Sequence, residues 1–211
     1  MRTPATTMLL TRLARAGLVR RLRPGLWWLD SQVSNRYALV ETLTTPFPSY
    51  VSLLTALYLH GMIEQIPSVI YSASLARTQR IRTSDGVFSI HHIAAELFEG
   101  FDSRTDGTKL ATPEKALFDV AYLSGGRSRL FAHLPELELS ATFDPRKLRV
   151  WIDRVGSARR RSMVETRLRE LLARAAGPPR QRTLPLASRS ASASRRTGAA
   201  ARGARAGRTR G

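Results

Sequence analysis

The residues best able to do chemistry lie near the N-terminus. Thr11, Arg12 and Arg15 stand within one turn and a half of a helix, and Arg20, Arg21 and Arg23 follow closely. A guanidinium fork grips phosphate oxygens, and a hydroxyl such as that of Thr11 bonds a phosphate or a base edge. These types at this spacing point to recognition of a polyanion, with double-stranded DNA as the expected partner. The competing reading is a solvated basic helix followed by an ordinary hairpin, since basic amphipathic helices are common.

Other reactive types point to less. His91-His92 suggests a metal, but neighbours in a strand face opposite sides and cannot readily chelate one ion. The chain has no Cys, and no acidic partner sits at ligand spacing. Asp85, Glu96 and Glu99 lie near expected strands without the Asp/Glu-x-Lys spacing of a nuclease. No Ser/His/Asp order, nucleophile elbow or phosphate-cradling glycine loop occurs. The expectation is a protein with no metal, no cofactor and no enzymatic activity. His60, a lone His at the end of an apolar run, is expected to be a hydrogen-bonded structural residue.

The elements that must position the Arg cluster follow from periodicity. Thr7 to Ala16 splits as a helix, with Met8, Thr11, Arg12 and Arg15 on one side and Leu9, Leu10, Leu13 and Ala14 on the other. Gly17 stands where a helix C-cap prefers it. Leu18 to Leu22 and Leu26 to Leu29 then read as a two-stranded ribbon joined by Arg23-Pro24-Gly25. A helix, a Gly and a basic ribbon is how a winged helix-turn-helix ends, with the helix in the major groove and the ribbon along the phosphates. Such a unit needs two earlier helices to cover Leu9, Leu10 and Leu13, yet only six residues precede Thr7. An N-terminally truncated head is therefore expected. It forgoes roughly 1.5–3 kcal/mol per uncovered Leu, and is expected to be loosely held and to bind DNA poorly.

Beyond Asp30, Ser34 to Thr45 reads as a short helix ending before Pro46-Phe47-Pro48. Ser49 to Met62 reads as another, with Ser49 as its N-cap. The period then changes to two. Val69 to Ser74, Thr78 to Arg82 and Val87 to Ile93 read as strands, the last pair joined by Asp85-Gly86. Thr112 caps a helix that starts with Pro113, carries Glu114 at its positive end and buries Leu117, Val120 and Ala121. Ser124 to Ser128 reads as a loop, and Phe143 to Val155 and Ser162 to Ala175 as helices. Arg159-Arg160-Arg161 reads as a solvated linker between those two, the alternative being a second phosphate or RNA contact.

Charge is uneven. Of the net +18, residues 177–211 carry nine Arg and no acid, for +9, and residues 1–36 carry seven Arg against Asp30, for +6, leaving +3 for the rest. Basic ends suggest a polyanionic partner. The tail, rich in Arg, Ala, Ser, Gly and Pro, cannot offset its ordering entropy and is expected to be disordered. Its abrupt start suggests a frameshift in a GC-rich gene. The acid-free, Arg- and Thr-bearing start looks superficially like a transit peptide, but the ribbon after it reads as structure. No run approaches a membrane span, and the lack of Cys fits a reducing compartment. The expected location is the cytoplasm, with no membrane partner.

The order of basic helix and ribbon, SYVSLLTALYLHGM, strands, and KLATPEKALFDVAYL resembles the AbiE-type antitoxins of bacterial abortive-infection systems, from about Thr7 to about Ala176. Leu110 to Leu123 is the most specific part and Ser49 to Gly61 the next. The resemblance implies a type IV toxin–antitoxin transcriptional regulator. Its N-terminal winged-helix head, residues 1–36, would repress its own operon through inverted repeats. Its antitoxin-type domain, residues 37–176, would counteract a nucleotidyltransferase-like toxin encoded next door, without requiring a stable complex. The fold expected is α+β: a partial winged helix-turn-helix, a mixed helix/strand domain, and a basic tail over residues 177–211. The rival is a protein-interaction module that does not bind DNA, or a degenerate fragment of such a regulator.

Overall fold

The computed structural model describes residues 4–28, 35–125, 131 and 134–177. Leu29, Asp30, the expected helix start at Ser34, residues 126–128 of the expected loop and the tail from residue 178 lie outside the described residues. Within them the chain is α+β, with six α-helices and two sheets.

Helix α1, Pro4–Arg15, leads into a small antiparallel ribbon of β1, Arg20–Arg23, and β2, Leu26–Trp28. A 3₁₀ turn and α2, Leu39–Thr44, follow. Asn35 caps that turn by accepting from the Tyr37 N–H at 2.9 Å. Leu39, Val40, Leu43 and Thr44 are buried, which fixes the inner face of α2.

The second sheet has six strands in the order β5-β6-β4-β3-β8-β7. They are β3, Ser49–Val51; β4, Val69–Ser74; β5, Gln79–Thr83; β6, Gly86–His92; β7, Phe101–Ser103; and β8, Lys109–Ala111. The pairings β3/β4, β5/β6 and β7/β8 are antiparallel, while β4/β6 and β3/β8 are parallel. Asp85-Gly86 does join β5 to β6, with Gly86 at φ +131° opposite Thr83. Alternation sets the faces: Ile81 lies opposite Phe88, and Phe88 and Ile90 are fully buried. Burial of side chains of this size stabilises by roughly 1.5–3 kcal/mol each.

Helix α4, Pro113–Ser124, is the centre of the fold. Thr112 caps it as expected, accepting from the Lys115 N–H at 3.3 Å. Every residue from Glu114 to Tyr122 is buried, not one stripe. Helix α3, Leu53–Leu59, packs beside it, and α5, Leu148–Asp153, and α6, Ala158–Ala175, cover it further. Leu22 of the ribbon belongs to the same hydrophobic cluster as Leu117, Phe88 and Leu168, with Leu26 and Trp28 packed against it.

Element boundaries differ from expectation, most of all in three places. Ser49 to Met62 is not one helix. Ser49, Tyr50 and Val51 are buried strand residues, and α3 starts after Ser52. β4 and β8 offer hydrogen-bonding partners on both sides, and a ladder outweighs a weak local helix preference. Phe143 to Val155 contains a 3₁₀ turn at Pro145–Lys147 before the short α5. The Arg159–Arg161 cluster is not a linker but the first turn of α6, capped by the Ser157 side chain.

Candidate nucleic-acid interface

Helix α1 closes with a Schellman cap. Gly17 at φ +73° sends its N–H to Ala14 O at 3.1 Å, and Leu18 N–H reaches Leu13 O at 3.0 Å. Arg12 and Arg15 lie in the last turn, where cations complement the helix dipole. Leu10, Leu13 and Ala14 are half-buried, and Arg12, Arg15 and Met8 are exposed on the opposite side. Leu9 remains 55 % exposed and Leu18 58 %, so part of the apolar face is uncovered. Neither Arg12 nor Arg15 has a hydrogen-bond or ion-pair partner through its side chain among the described residues. The Thr11 hydroxyl is already engaged, donating to Thr7 O at 2.8 Å.

The ribbon splits its three arginines by face. Arg21 is exposed opposite Trp27, its guanidinium 5.8 Å from the indole centroid. Arg20 turns the other way and pairs with Asp85 at 2.7 Å, in the turn between β5 and β6. This pins the ribbon to the body and takes Nη1 from any ligand. Arg23 is half-buried beyond a bulge between Arg21 and Arg23, before the turn at Gly25, φ +89°. Sequence alternation alone places all three on or beside the ribbon; only packing separates the anchor, Arg20, from the exposed Arg21.

The second basic cluster is largely spent on structure. Arg160 lies 3.9 Å over the Tyr122 ring. Arg161 donates from Nη2 to Val155 O at 2.9 Å and to Asp153 O at 3.2 Å, closing the end of α5. Arg159 stays exposed. His60 Nε2 lies 2.7 Å from Ala111 O, a structural bond between α3 and β8. His91 is buried and His92 exposed. Among the described residues no group of three or more metal-ligating side chains gathers, and no helix is long and apolar enough to cross a membrane.

A polar cluster that the motifs do not announce lies inside α4. Lys115 and Asp119, one turn apart, pair at 2.5 Å with both side chains fully buried. Asp119 Oδ2 accepts from the Tyr50 hydroxyl at 3.0 Å and the Ser52 hydroxyl at 2.7 Å. The Lys115 ammonium lies 4.8 Å from the Phe118 centroid, 5.6 Å from Trp151 and 5.8 Å from Tyr50. Burial pulls the Lys115 pKa down, against the opposing pull of Asp119. Burial, aided by the Asp119 charge, pushes the Tyr50 phenol well up. The sequence does carry a signal for it: two opposite charges at i and i+4 within an apolar helix must be buried together or not at all. All four polar residues are sealed from solvent, so the cluster ties β3 to α4 and offers no surface to a ligand.

The exposed chemistry of the N-terminal unit is therefore three exposed guanidiniums without an ion pair among the described residues, Arg12, Arg15 and Arg21, on a capped helix and a pinned ribbon. No protein-family model matches this chain, and no curated protein matches it.

Proposed function

We propose that this chain is a DNA-binding, antitoxin-like transcriptional regulator. Its helix and ribbon act as the recognition helix and wing of a winged helix-turn-helix that represses its own operon through inverted repeats, and the domain that follows counteracts a nucleotidyltransferase-type toxin. One observation carries the DNA-binding reading: α1 presents Arg12 and Arg15 on the side opposite its packed residues, with no acidic partner among the described residues, and its cap leads directly into a ribbon that exposes Arg21. Cations left unpaired on an ordered helix are available for phosphate and base-edge contacts without breaking an internal ion pair. The antitoxin part rests on the likeness of the Leu110 to Leu123 and Ser49 to Gly61 segments alone.

The test is a fluorescence titration of the full chain against a duplex from upstream of its own gene and a shuffled duplex of equal composition. Preference for its own duplex, with an affinity that falls steeply as salt rises, is expected. Arg12→Ala with Arg15→Ala should lower the salt slope by about 2, since each lost phosphate contact removes roughly 0.9. Equal affinity for both duplexes refutes the regulator. A salt-independent affinity for a protein partner, with no DNA binding, would favour an interaction module instead.

A further inference from the structure

We infer that the edge strand β5 is a second phosphate-contacting element, through Arg80 and Arg82; the inference rests on the DNA-binding reading above and extends its footprint into the body. Strand β5 is the outermost strand at one end of the six-stranded sheet. Its pattern is Gln79 and Arg80 exposed, Ile81 buried, Arg82 exposed. Ile81 faces the core opposite Phe88, so Arg80 and Arg82 share the other face, opposite Ser89 and Val87. Arg77 is exposed just before the strand. None of the three has an ion-pair or hydrogen-bond partner through its side chain among the described residues.

Placement turns these residues into part of the interface. Strand β1 of the ribbon lies against β5. The Arg20–Asp85 pair, at 2.7 Å, fastens the ribbon to the turn that ends β5. Two basic strands thus sit side by side. Residues two apart on a strand face are about 6.6 Å apart, so Arg80 and Arg82 present two cations close together for a phosphate backbone. An exposed edge strand bearing cations also avoids pairing with another edge; that role needs only charge, whereas a phosphate track also needs the neighbouring ribbon, which is present.

The test compares three double variants of the full chain with the parent on the same duplex, measuring affinity from about 50 to about 300 mM salt, the range over which counterion release is read. Arg80→Thr with Arg82→Thr keeps strand-favouring residues. Arg159→Ala with Arg169→Ala removes the same charge from exposed positions on α6. Arg12→Ala with Arg15→Ala reports on α1. The β5 variant is expected to lose about tenfold or more in affinity at low salt and about 2 in salt slope, and the α6 variant to match the parent. If the parent and the α1 variant behave as expected but the β5 variant matches the α6 variant, β5 is no contact and only this inference falls. If the parent does not bind duplex DNA, the DNA-binding reading falls and this one with it.

Discussion

Removing the Lys115 ammonium should erase much of the protein's stability margin. In Lys115→Met the side chain keeps an apolar stem packed against Phe118 and Trp151, but Asp119 retains a buried carboxylate with only the Tyr50 and Ser52 hydroxyls as side-chain donors among the described residues. Stranding one member of a buried pair costs about 3–5 kcal/mol. Lys115→Met with Asp119→Asn removes both charges, and the amide carbonyl that replaces the carboxylate can still accept from the two hydroxyls. That double variant should cost only about 1–2 kcal/mol. The single variant is thus less stable than the double by roughly 1–4 kcal/mol, a non-additivity of the sort contacting pairs show. Urea unfolding followed by far-UV circular dichroism measures it. For a chain of this size the single variant should also melt about 6–20 °C lower. A single variant within about 1 kcal/mol of the parent, or a double variant whose cost is the sum of the two singles, would refute the claim that the charges are buried as a mutually dependent pair.

Two further outcomes follow from other parts of the core. His91 sits between Tyr71 and Phe131, and burial lowers its pKa to about 4. Because the unfolded chain takes up this proton first, near pH 6.5, the contribution is intact above that pH. It is lost as pH falls from about 6.5 to about 4, by roughly 3 kcal/mol at about 1.36 kcal/mol per unit. His91→Gln should flatten that part of the stability–pH curve in urea titrations at stepped pH, and an unchanged slope would count against it. Gly100 takes φ +78°, and an added Cβ would overlap the Trp151 ring while approaching Lys115 Cδ at 3.2 Å. Gly100→Ala should cost about 2–4 kcal/mol, from left-handed backbone and overpacking together, read as a lowered unfolding midpoint; a parental midpoint would show that the loop simply shifts.

The residue pattern alone determined whatever depends on neighbours in the chain. Gly17 had to end α1 because only a residue free of Cβ strain takes its positive φ readily. Thr112-Pro113 had to start α4, because an oxygen cap and a preset φ act locally. The alternation around Asp85-Gly86 had to give a hairpin, and the two-sidedness of α1 had to set Arg12 and Arg15 apart from Leu10 and Leu13. Tertiary structure decided everything that depends on residues brought from afar. It made Ser49–Val51 a strand, because β4 and β8 supply the ladder on both sides. It turned Arg20 into an anchor by placing Asp85 beside it, and left Arg21 exposed beside Trp27 on the other face of the same strand. It seated Lys115 and Asp119 in the core, because Tyr50 and Ser52, 69 and 67 residues before Asp119, satisfy the carboxylate there. Side-chain spacing fixes which residues share a face; what that face meets is settled only when distant segments pack, since burial and pairing energies are properties of the assembled core.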